Sequence, residues 1–475
     1  MKLEKIKIIA PDAEITHNES FPIAPPILAY LAALTPRDID VTVFDLSRQK
    51  VDYDEPVDLV CISCMTPMAT QGEEVAREYR KRGVKVAMGG HHPTVRPLEV
   101  KEFADYVFIG EAEDTYPKFI EDFKNDSTHD FYLCGDFAHT KNLPGKVYHL
   151  KDRPDLKNLP IPRRELIKPK YRFDTIQTTR GCPYACDFCS VTEFFGNTMR
   201  TRPIEEIDKE IDHLGPLFMN LDDNCFGYPK ENVEFFNLLI NKKKTRKWIG
   251  SGSLSIVNHP KCDEILSLAA KSGLCFLMVG IESLDSETLK DNHISAKLGH
   301  KGEPDNEFTK RAIKKIQSYG IVVWGFMIFG FSDEKPDIFE KAYQFIRETH
   351  IVPCPAVLNI LPETKLYHRL KDYAIPSRGY EANAGPLATF YINHLRPYEL
   401  EDGVAQLQKK AYKVRNIFRR VIRTRPLLNM LVSVPIEFKM RKIYKGYFNI
   451  KDRYKLPDNE QLLASEFKEQ TANKN

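Results

Sequence analysis

The chain of 475 residues is 42% hydrophobic and 28% charged, with a formal net charge of +3. That length suits two or three domains of ordinary water-soluble composition, and the near-neutral charge gives no ground to expect a nucleic-acid partner. No run of about 18 apolar residues is there to cross a bilayer, the opening MKLEKIKIIAPDAE is too briefly apolar for a secretory leader, and the ten cysteines are spread out rather than packed as a disulfide framework, so a cytoplasmic, reducing setting is expected.

Residues 1–130 alternate short apolar runs (KIKIIAP, DVTVFDLS, LVCISCM, VKVAMGG, YVFIG) with helical patterns such as PPILAYLAAL, TQGEEVAREYRKRG and TYPKFIEDFKN. Continuous apolar runs read as strands buried on both faces, and strand–helix alternation demands right-handed crossovers. The prediction is an α/β protein that begins with a Rossmann-like, doubly wound parallel sheet, whose ligands bind beyond the carboxyl ends of the strands. Residues 131–170, with Pro144, Pro154, Pro160, Pro162 and Pro169, read as a linker with a short hairpin around KVYHL. Residues 171–390 alternate again. Strands at DTIQTT, LFMNLDD, KWIGSGS, CFLMVGIES, VVWGFMIFG and AVLNIL predict a partial (β/α)6 barrel with its chemistry at the carboxyl ends. Residues 391–475 read as a mainly α-helical, basic region.

The second block opens on Arg180-Gly-Cys182-Pro-Tyr-Ala-Cys186-Asp-Phe-Cys189. Spacings of three and two residues put three thiolates on one tight loop, and soft thiolates are what an iron–sulfur cluster needs. Three ligands leave one iron of a [4Fe–4S] cubane open to bind a substrate. A structural zinc site usually takes four protein ligands, commonly as two separated pairs, and no fourth is obvious nearby. Three reduced core cysteines are the plainer alternative; a triplet directly after a strand, in a Gly-Pro context, argues against it. Cys61, Cys64, Cys262, Cys275 and Cys354 read as small buried hydrophobes, and the Cys61–Cys64 pair lies in a strand pattern that points its side chains to opposite faces. Cys134 and Cys225 carry no assigned role.

CPYACDFC resembles the C-x3-C-x-aromatic-C signature of the radical S-adenosylmethionine (SAM) superfamily, with Phe188 in the aromatic place. The resemblance implies that the open iron chelates SAM and that one electron splits it into methionine and a 5′-deoxyadenosyl radical. It further implies SAM contacts at successive strand ends: Asp222, Asp223 and Asn224 for the methionine amino group, Ser251 and Ser253 for the carboxylate or ribose, and Gly280, Ile281 and Glu282 for the adenine and its ribose. The plainer reading of residues 222–224 is helix capping. A flavodoxin or ferredoxin is implied as electron donor.

The first block resembles the cobalamin-binding domain that precedes many radical SAM domains, through FPIAPPILAYLAAL, MTPM, GGHHPT and GEAE. This implies corrinoid contacts from Thr66, Gly89, Gly90, His91, Thr94, Gly110 and Glu111. The D-x-H-x-x-G motif of mutases and methionine synthase is absent, so no protein histidine is expected below the cobalt. The alternative is a domain that has kept the fold and lost cobalamin. No G-x-G-x-x-G follows the first strand to support a dinucleotide.

Residues 409–445 hold twelve Lys and Arg, interleaved with apolar residues, and a single acid, Glu437. Such a pattern suits peripheral contact with an anionic membrane, or else a helical region packed on the barrel. With LPETKLYHRLK (Leu361 to Lys371), in which Glu363 stands where glycine is common, the tail resembles cobalamin-type enzymes that modify hopanoids, tetrapyrroles and isoprenoid lipids. The resemblance implies methylation of an unactivated carbon of a small hydrophobic or lipid-like substrate, by reductive SAM cleavage and methylcobalamin. A cyclase, oxidase or rearrangement enzyme using the same cofactors is the alternative. Modification of tRNA is disfavoured for want of an RNA-binding module, and no residue stands out as a catalytic acid or base.

Overall fold

The apolar runs of the first block pair as an all-parallel sheet. In the computed structural model, which describes residues 2–13, 23–168, 170–242, 244, 246–294, 306–423 and 427–472, its strands are β1 (Lys5–Ala10), β2 (Asp40–Asp45), β3 (Leu59–Ser63), β4 (Lys85–Gly89), β5 (Tyr106–Gly110), β6 (Phe131–Cys134) and β7 (Val147–Leu150). Their order is β2-β1-β3-β4-β5-β6-β7, every neighbour parallel. Strand order reverses between β1 and β3, which puts the ligand crevice of such a sheet beyond their carboxyl ends. One side of the sheet buries an aromatic stack: Phe108 lies on Tyr132 at 5.2 Å, and Phe119 meets both edge-on at 5.3 and 5.2 Å. Phe21 and Pro22 of the FPIAPPILAYLAAL run, and Pro169, lie outside the described residues.

Two sequence expectations are corrected here. The segment read as a linker contributes β6 and β7, and the first unit of the fold runs on to Asp174. KVYHL forms no hairpin: β7 pairs parallel to β6, from Phe131 opposite Val147 to Cys134 opposite Leu150. Four-residue strands are too short for periodicity to reveal, and a parallel neighbour needs a crossover rather than a tight turn.

The second unit holds β8 (Asp174–Ile176), β9 (Thr179–Arg180), β10 (Arg200–Thr201), β11 (Leu217–Asn220), β12 (Lys247–Gly252), β13 (Leu274–Glu282), β14 (Val322–Phe329) and β15 (Val352–Val357). Six of these form a sheet in chain order, β15-β14-β13-β12-β11-β8, with parallel pairing from β11 to β15. Buried Trp248 anchors it, stacked near Phe236 at 5.8 Å and Phe218 at 6.3 Å, with its indole N–H donating to Ser272 Oγ at 3.1 Å. The last strand starts four residues earlier than AVLNIL suggests, at VPCPAV. Its prolines lack an N–H and are tolerated because β15 is an edge. The tail covers that edge: Tyr412 Oη donates to the Pro353 carbonyl at 2.6 Å and Gln408 Nε2 to that of Pro355 at 2.9 Å.

The tail is helical, as expected, over Pro397–Ala411, Val414–Val421, Leu427–Arg453 and Ala464–Ala472. Its second and third helices are pinned by a buried ion pair. Arg420 Nε donates to Glu437 Oε2 at 2.9 Å, and Nη1 donates to the Ala411 carbonyl at 2.9 Å. Burial pushes the Glu437 carboxyl up, and the Arg420 charge opposes that rise. Arg420→Ala should therefore strand a buried carboxylate and cost about 3–5 kcal/mol in urea unfolding, while the Arg420→Met, Glu437→Leu double variant recovers most of that loss.

Candidate cluster and cofactor sites

β9 and β10 pair antiparallel, Arg180 opposite Arg200 and Thr179 opposite Thr201, and between them runs the loop of the three cysteines. The loop leaves β9 through Gly181 at φ +93°, where a Cβ would stand 2.1 Å from the Thr198 carbonyl, so only glycine fits. The Gly181 amide donates to Asp223 Oδ2 at 2.9 Å, which ties the residue before Cys182 to the end of β11. Cys182, Cys186 and Cys189 are all half-buried. Cys189 N donates to the Cys186 carbonyl at 3.0 Å, and the helix Ser190–Phe195 follows. Burial pushes the Cys189 thiol up to about 11.

Three side chains within the motif carry contacts that its spacing does not announce. Buried Asp187 accepts from Arg369 Nη1 at 3.2 Å and faces His293 Nδ1 at 3.0 Å. Its backbone accepts from Leu366 N at 2.9 Å and donates to the Asn292 carbonyl at 3.3 Å. Arg369 Nη2 also donates to Asn292 Oδ1 at 2.6 Å. The LPETKLYHRLK segment therefore acts as a brace for the cluster loop. Tyr184 Oη lies 2.6 Å from Ser255 Oγ, and Phe188 meets Phe331 edge-on at 6.3 Å. Glu363 has φ +65°, the conformation a glycine adopts freely, so the residue seen in its place bears the strain.

The expected SAM residues divide into two groups. Asp222 is fully committed: it accepts from the amides of Thr178 at 2.6 Å and Thr179 at 2.8 Å, from the Thr178 hydroxyl, and from Asn220 Nδ2 at 3.2 Å. Asn224 Oδ1 accepts from Phe226 N at 3.1 Å, a local turn, and Ser253 caps the 3₁₀ turn Leu254–Asn258 through Ser255 N at 3.2 Å. Ile281 is buried against Gly325, where a Cβ would stand 2.6 Å from its Cδ1. These four side chains thus make contacts within the protein. Asp223, Ser251, Gly280 and Glu282 stand at the strand ends, with Glu282 at φ +64° beside a register shift in β13. Burial pushes the Asp223 carboxyl up to about 6.

Sequence reading missed Glu334, whose buried carboxyl accepts from Gly330 N at 2.7 Å at the end of β14. Burial pushes it up to about 8, the Gly330 and Phe331 amides opposing the rise. Its signal was faint: the second of two acids, Asp333 and Glu334, behind Phe329-Gly330-Phe331-Ser332.

The cobalamin candidates gather at the carboxyl ends of β3, β4 and β5. Thr66 Oγ1 lies 3.4 Å from His91 Nδ1. Thr94 is spent internally, donating to the Gly90 carbonyl at 2.8 Å and accepting from Gly110 N at 2.9 Å. Gly90 at φ +100° and Gly110 at φ +80° make turns, with Cβ positions 2.8 Å from the Cys64 carbonyl and 2.2 Å from that of Cys134. Gly89 leaves room for Phe108, and buried Glu111 faces Arg153 at 3.5 Å. Met65, on the same edge, is 57% exposed, an apolar surface suited to a flat macrocycle. Cys61 and Cys64 are buried with thiols pushed up to about 12 by that burial, as small hydrophobes would be, and Cys134 behaves alike.

Among the described residues no group of three His, Cys, Asp or Glu side chains could hold a single metal ion. Three half-buried thiols on one loop suit a cubane, where each thiolate takes a different iron.

A family model described as the radical SAM superfamily matches residues 176–346, and one described as the B12 binding domain matches residues 23–120. The hopanoid C-2 methylase of Rhodopseudomonas palustris (strain TIE-1) is 28% identical over 376 residues, covering 75% of this chain and 67% of the relative. The bacteriochlorophyllide d C-8(2)-methyltransferase of Chlorobaculum tepidum is 24% identical over 433 residues, covering 88% and 92%. In fold, the chain is similar to the methyltransferase TsrM of Kitasatospora setae, solved with cobalamin and a [4Fe–4S] cluster, at TM-score 0.61 and 16% identity over 80% of this chain and 79% of that one. Fold and site thus define an enzyme with a B12-binding domain ahead of a radical SAM domain. The chain thus carries a match to each of these two domains, and together they imply a [4Fe–4S] cluster, SAM and cobalamin as cofactors.

Two consequences are measurable. Arg369 bridges Asp187 and Asn292 with separate nitrogens, which lysine cannot do. Arg369→Ala should weaken cluster retention about 10-fold or more, read as iron and sulfide per chain, and Arg369→Lys should restore only part of it. Glu334 binds a proton in the folded state between its ordinary value of 4.5 and about 8, where the unfolded chain has released it. Its contribution to stability is therefore full below pH 4.5 and is lost as pH rises through about 8. Glu334→Gln should flatten that part of the stability profile in unfolding series across this range.

Proposed function

We propose that this protein methylates an unactivated carbon of a small hydrophobic or lipid-like molecule, with Cys182, Cys186 and Cys189 as the cluster ligands. The observation that carries the reading is the cluster loop, held between β9 and β10 and braced through Asp223 and Asp187 in a chain that also has a B12-binding domain. When bound, the cofactors supply a 5′-deoxyadenosyl radical from SAM and a methyl group carried on cobalamin. The chain's own residues bind, orient and exclude water. Asp223 and Glu282, with Ser251 and the Gly280 backbone, take the polar groups of SAM; Asp222, Asn224, Ser253 and Ile281 fix the backbone those residues stand on. Phe188 and Phe331 shield the cluster side. On the first sheet, Met65, Thr66 and His91 meet the corrinoid, while Gly89, Gly90, Thr94, Gly110 and Glu111 shape the edge they stand on.

A hydrophobic substrate is supported by the relatives that act on a hopanoid and a bacteriochlorophyllide. A flavodoxin or ferredoxin delivers the low-potential electron, and the cytoplasm, at the inner face of the membrane, is the setting that suits donor and substrate. Among the described residues no helix is long and apolar enough to cross a membrane.

The test is anaerobic. The protein is reconstituted with iron, sulfide and cobalamin, given SAM and a reductant, and its products are quantified by mass spectrometry. Both S-adenosylhomocysteine and 5′-deoxyadenosine are expected. 5′-Deoxyadenosine alone, with cobalamin bound, would replace methylation by cyclisation, oxidation or rearrangement. Cleavage retained after Cys182→Ala, Cys186→Ala or Cys189→Ala would overturn the ligand assignment.

A further inference from the structure

The helices Val414–Val421 and Leu427–Arg453 sort their residues by face. Asn416, Ile417, Arg420 and Val421 of the first are buried, and so are Ile436, Glu437, Met440, Ile443 and Tyr444 of the second. Outward stand Phe418 at 53% exposure, with Val414 and Ile422 one turn to either side, and Leu431 at 61%, with Leu427 and Phe438 along the same stripe. These are six of the ten exposed large hydrophobic side chains among the described residues. Single exposed apolar residues are ordinary, but two such stripes on adjoining helices are not.

Within residues 409–445 the exposed charge has one sign. Exposed Arg415, Arg419 and Arg423 each follow one residue after an apolar one, and exposed Arg441, Lys442 and Lys445 continue the outward face of the long helix. Arg425 lies outside the described residues. The only acid of residues 409–445, Glu437, is 0% exposed and spent on Arg420. The buried pair thus removes the one negative charge from the surface. A second copy of this face would bring cation against cation, so self-association does not answer the pattern. An anionic lipid surface does, because acyl chains accept the apolar stripes while the long basic side chains reach the headgroups.

We infer that the outward face of these two helices is a docking surface for an anionic bilayer. This goes beyond the proposed reaction and does not depend on it. The full-length, cofactor-loaded protein is sedimented with vesicles of phosphatidylcholine, alone or mixed with phosphatidylglycerol. Cosedimentation with the mixed vesicles only, weakening as salt rises, is expected. The F418E/I422E/L431E variant should lose at least about tenfold in partitioning. R415Q/R419Q/R423Q should lose the preference for phosphatidylglycerol, and both variants should keep cobalamin and the wild-type melting temperature. Wild-type protein left in the supernatant with mixed vesicles, equal binding to both vesicle types, or unchanged binding by the glutamate variant would each overturn the inference. A salt-sensitive complex with RNA in place of vesicle binding, or a dimer that the glutamate variant abolishes, would overturn it in favour of that partner.

Discussion

A loop proposed to bring three thiols to one cluster has to hold one conformation, and in this chain buried carboxylates do the holding. Asp222 takes two successive amides at the junction of β8 and β9, Asp223 takes the amide directly before Cys182, and Asp187 is held by Arg369 inside the motif. A carboxylate can accept several donors at once, and charge-assisted bonds to backbone N–H groups are about twice as strong as neutral ones. Burying these groups has a cost, visible as the upward push on Asp222 and Asp223. Backbone donors offset part of it, and the Arg180 charge adds to that at Asp223. Asp187 is braced by Arg369, which comes from the LPETKLYHRLK segment.

The same segment shows how far the strain is local. Glu363 and Glu282 both take positive φ without being glycine, one in the brace and one at the end of β13. Backbone held in sparsely populated regions persists where surrounding contacts over-determine it, and it clusters at functional sites. Thr364 caps the helix Lys365–Leu370 by accepting from Tyr367 N at 3.1 Å, and His368 Nε2 lies 3.3 Å from Glu363 Oε2. Those contacts set the register that brings Leu366 and Arg369 to Asp187. A residue with φ near +65° is a small local cost for fixing a contact that spans more than 180 positions in sequence.

What was legible in the sequence follows from how each feature is encoded. Strands such as KIKIIA and VVWGFMIF are continuous apolar runs and declare themselves, as does the C-x3-C-x2-C spacing. The misses have physical causes. FYLC and VYHL are shorter than the period needed to recognise them, and VPCPAV carries two prolines that argue against a strand until the edge position is known. Asp222 and Thr94 were chosen as cofactor contacts, and in the structure their side chains hydrogen-bond to neighbouring backbone. A polar residue at a strand end looks the same in sequence whether it faces a ligand or a neighbouring amide, and only the fold shows that both are already satisfied. Asp187 and Glu334 were invisible for the opposite reason, because their partners lie far along the chain or in a turn of no distinctive composition.

The tail was read as a choice between packing on the barrel and lying on a surface; the structure shows the packing, through the end of the helix Pro397–Ala411, and leaves apolar and basic side chains exposed on the two helices that follow. Gln408 and Tyr412 close the proline-bearing edge of β15, so the tail is needed to pair carbonyls that the sheet leaves open. Having met that need on one side, it is free to present Phe418, Ile422 and Leu431 on the other. Exposing such residues to water is unfavourable at roughly 25 cal/mol per Å², and nothing in the inward packing requires them there. Arg420 and Glu437 sharpen the division: a buried ion pair is a poor source of stability compared with apolar packing, but it sets the register of the two helices and leaves their outer surface without an acid. Central charge pairing and the outward cationic, apolar face are thus one arrangement, because both depend on the same rotation of the helices Val414–Val421 and Leu427–Arg453 about their axes, while edge capping falls to Gln408 and Tyr412 at the end of the helix before them.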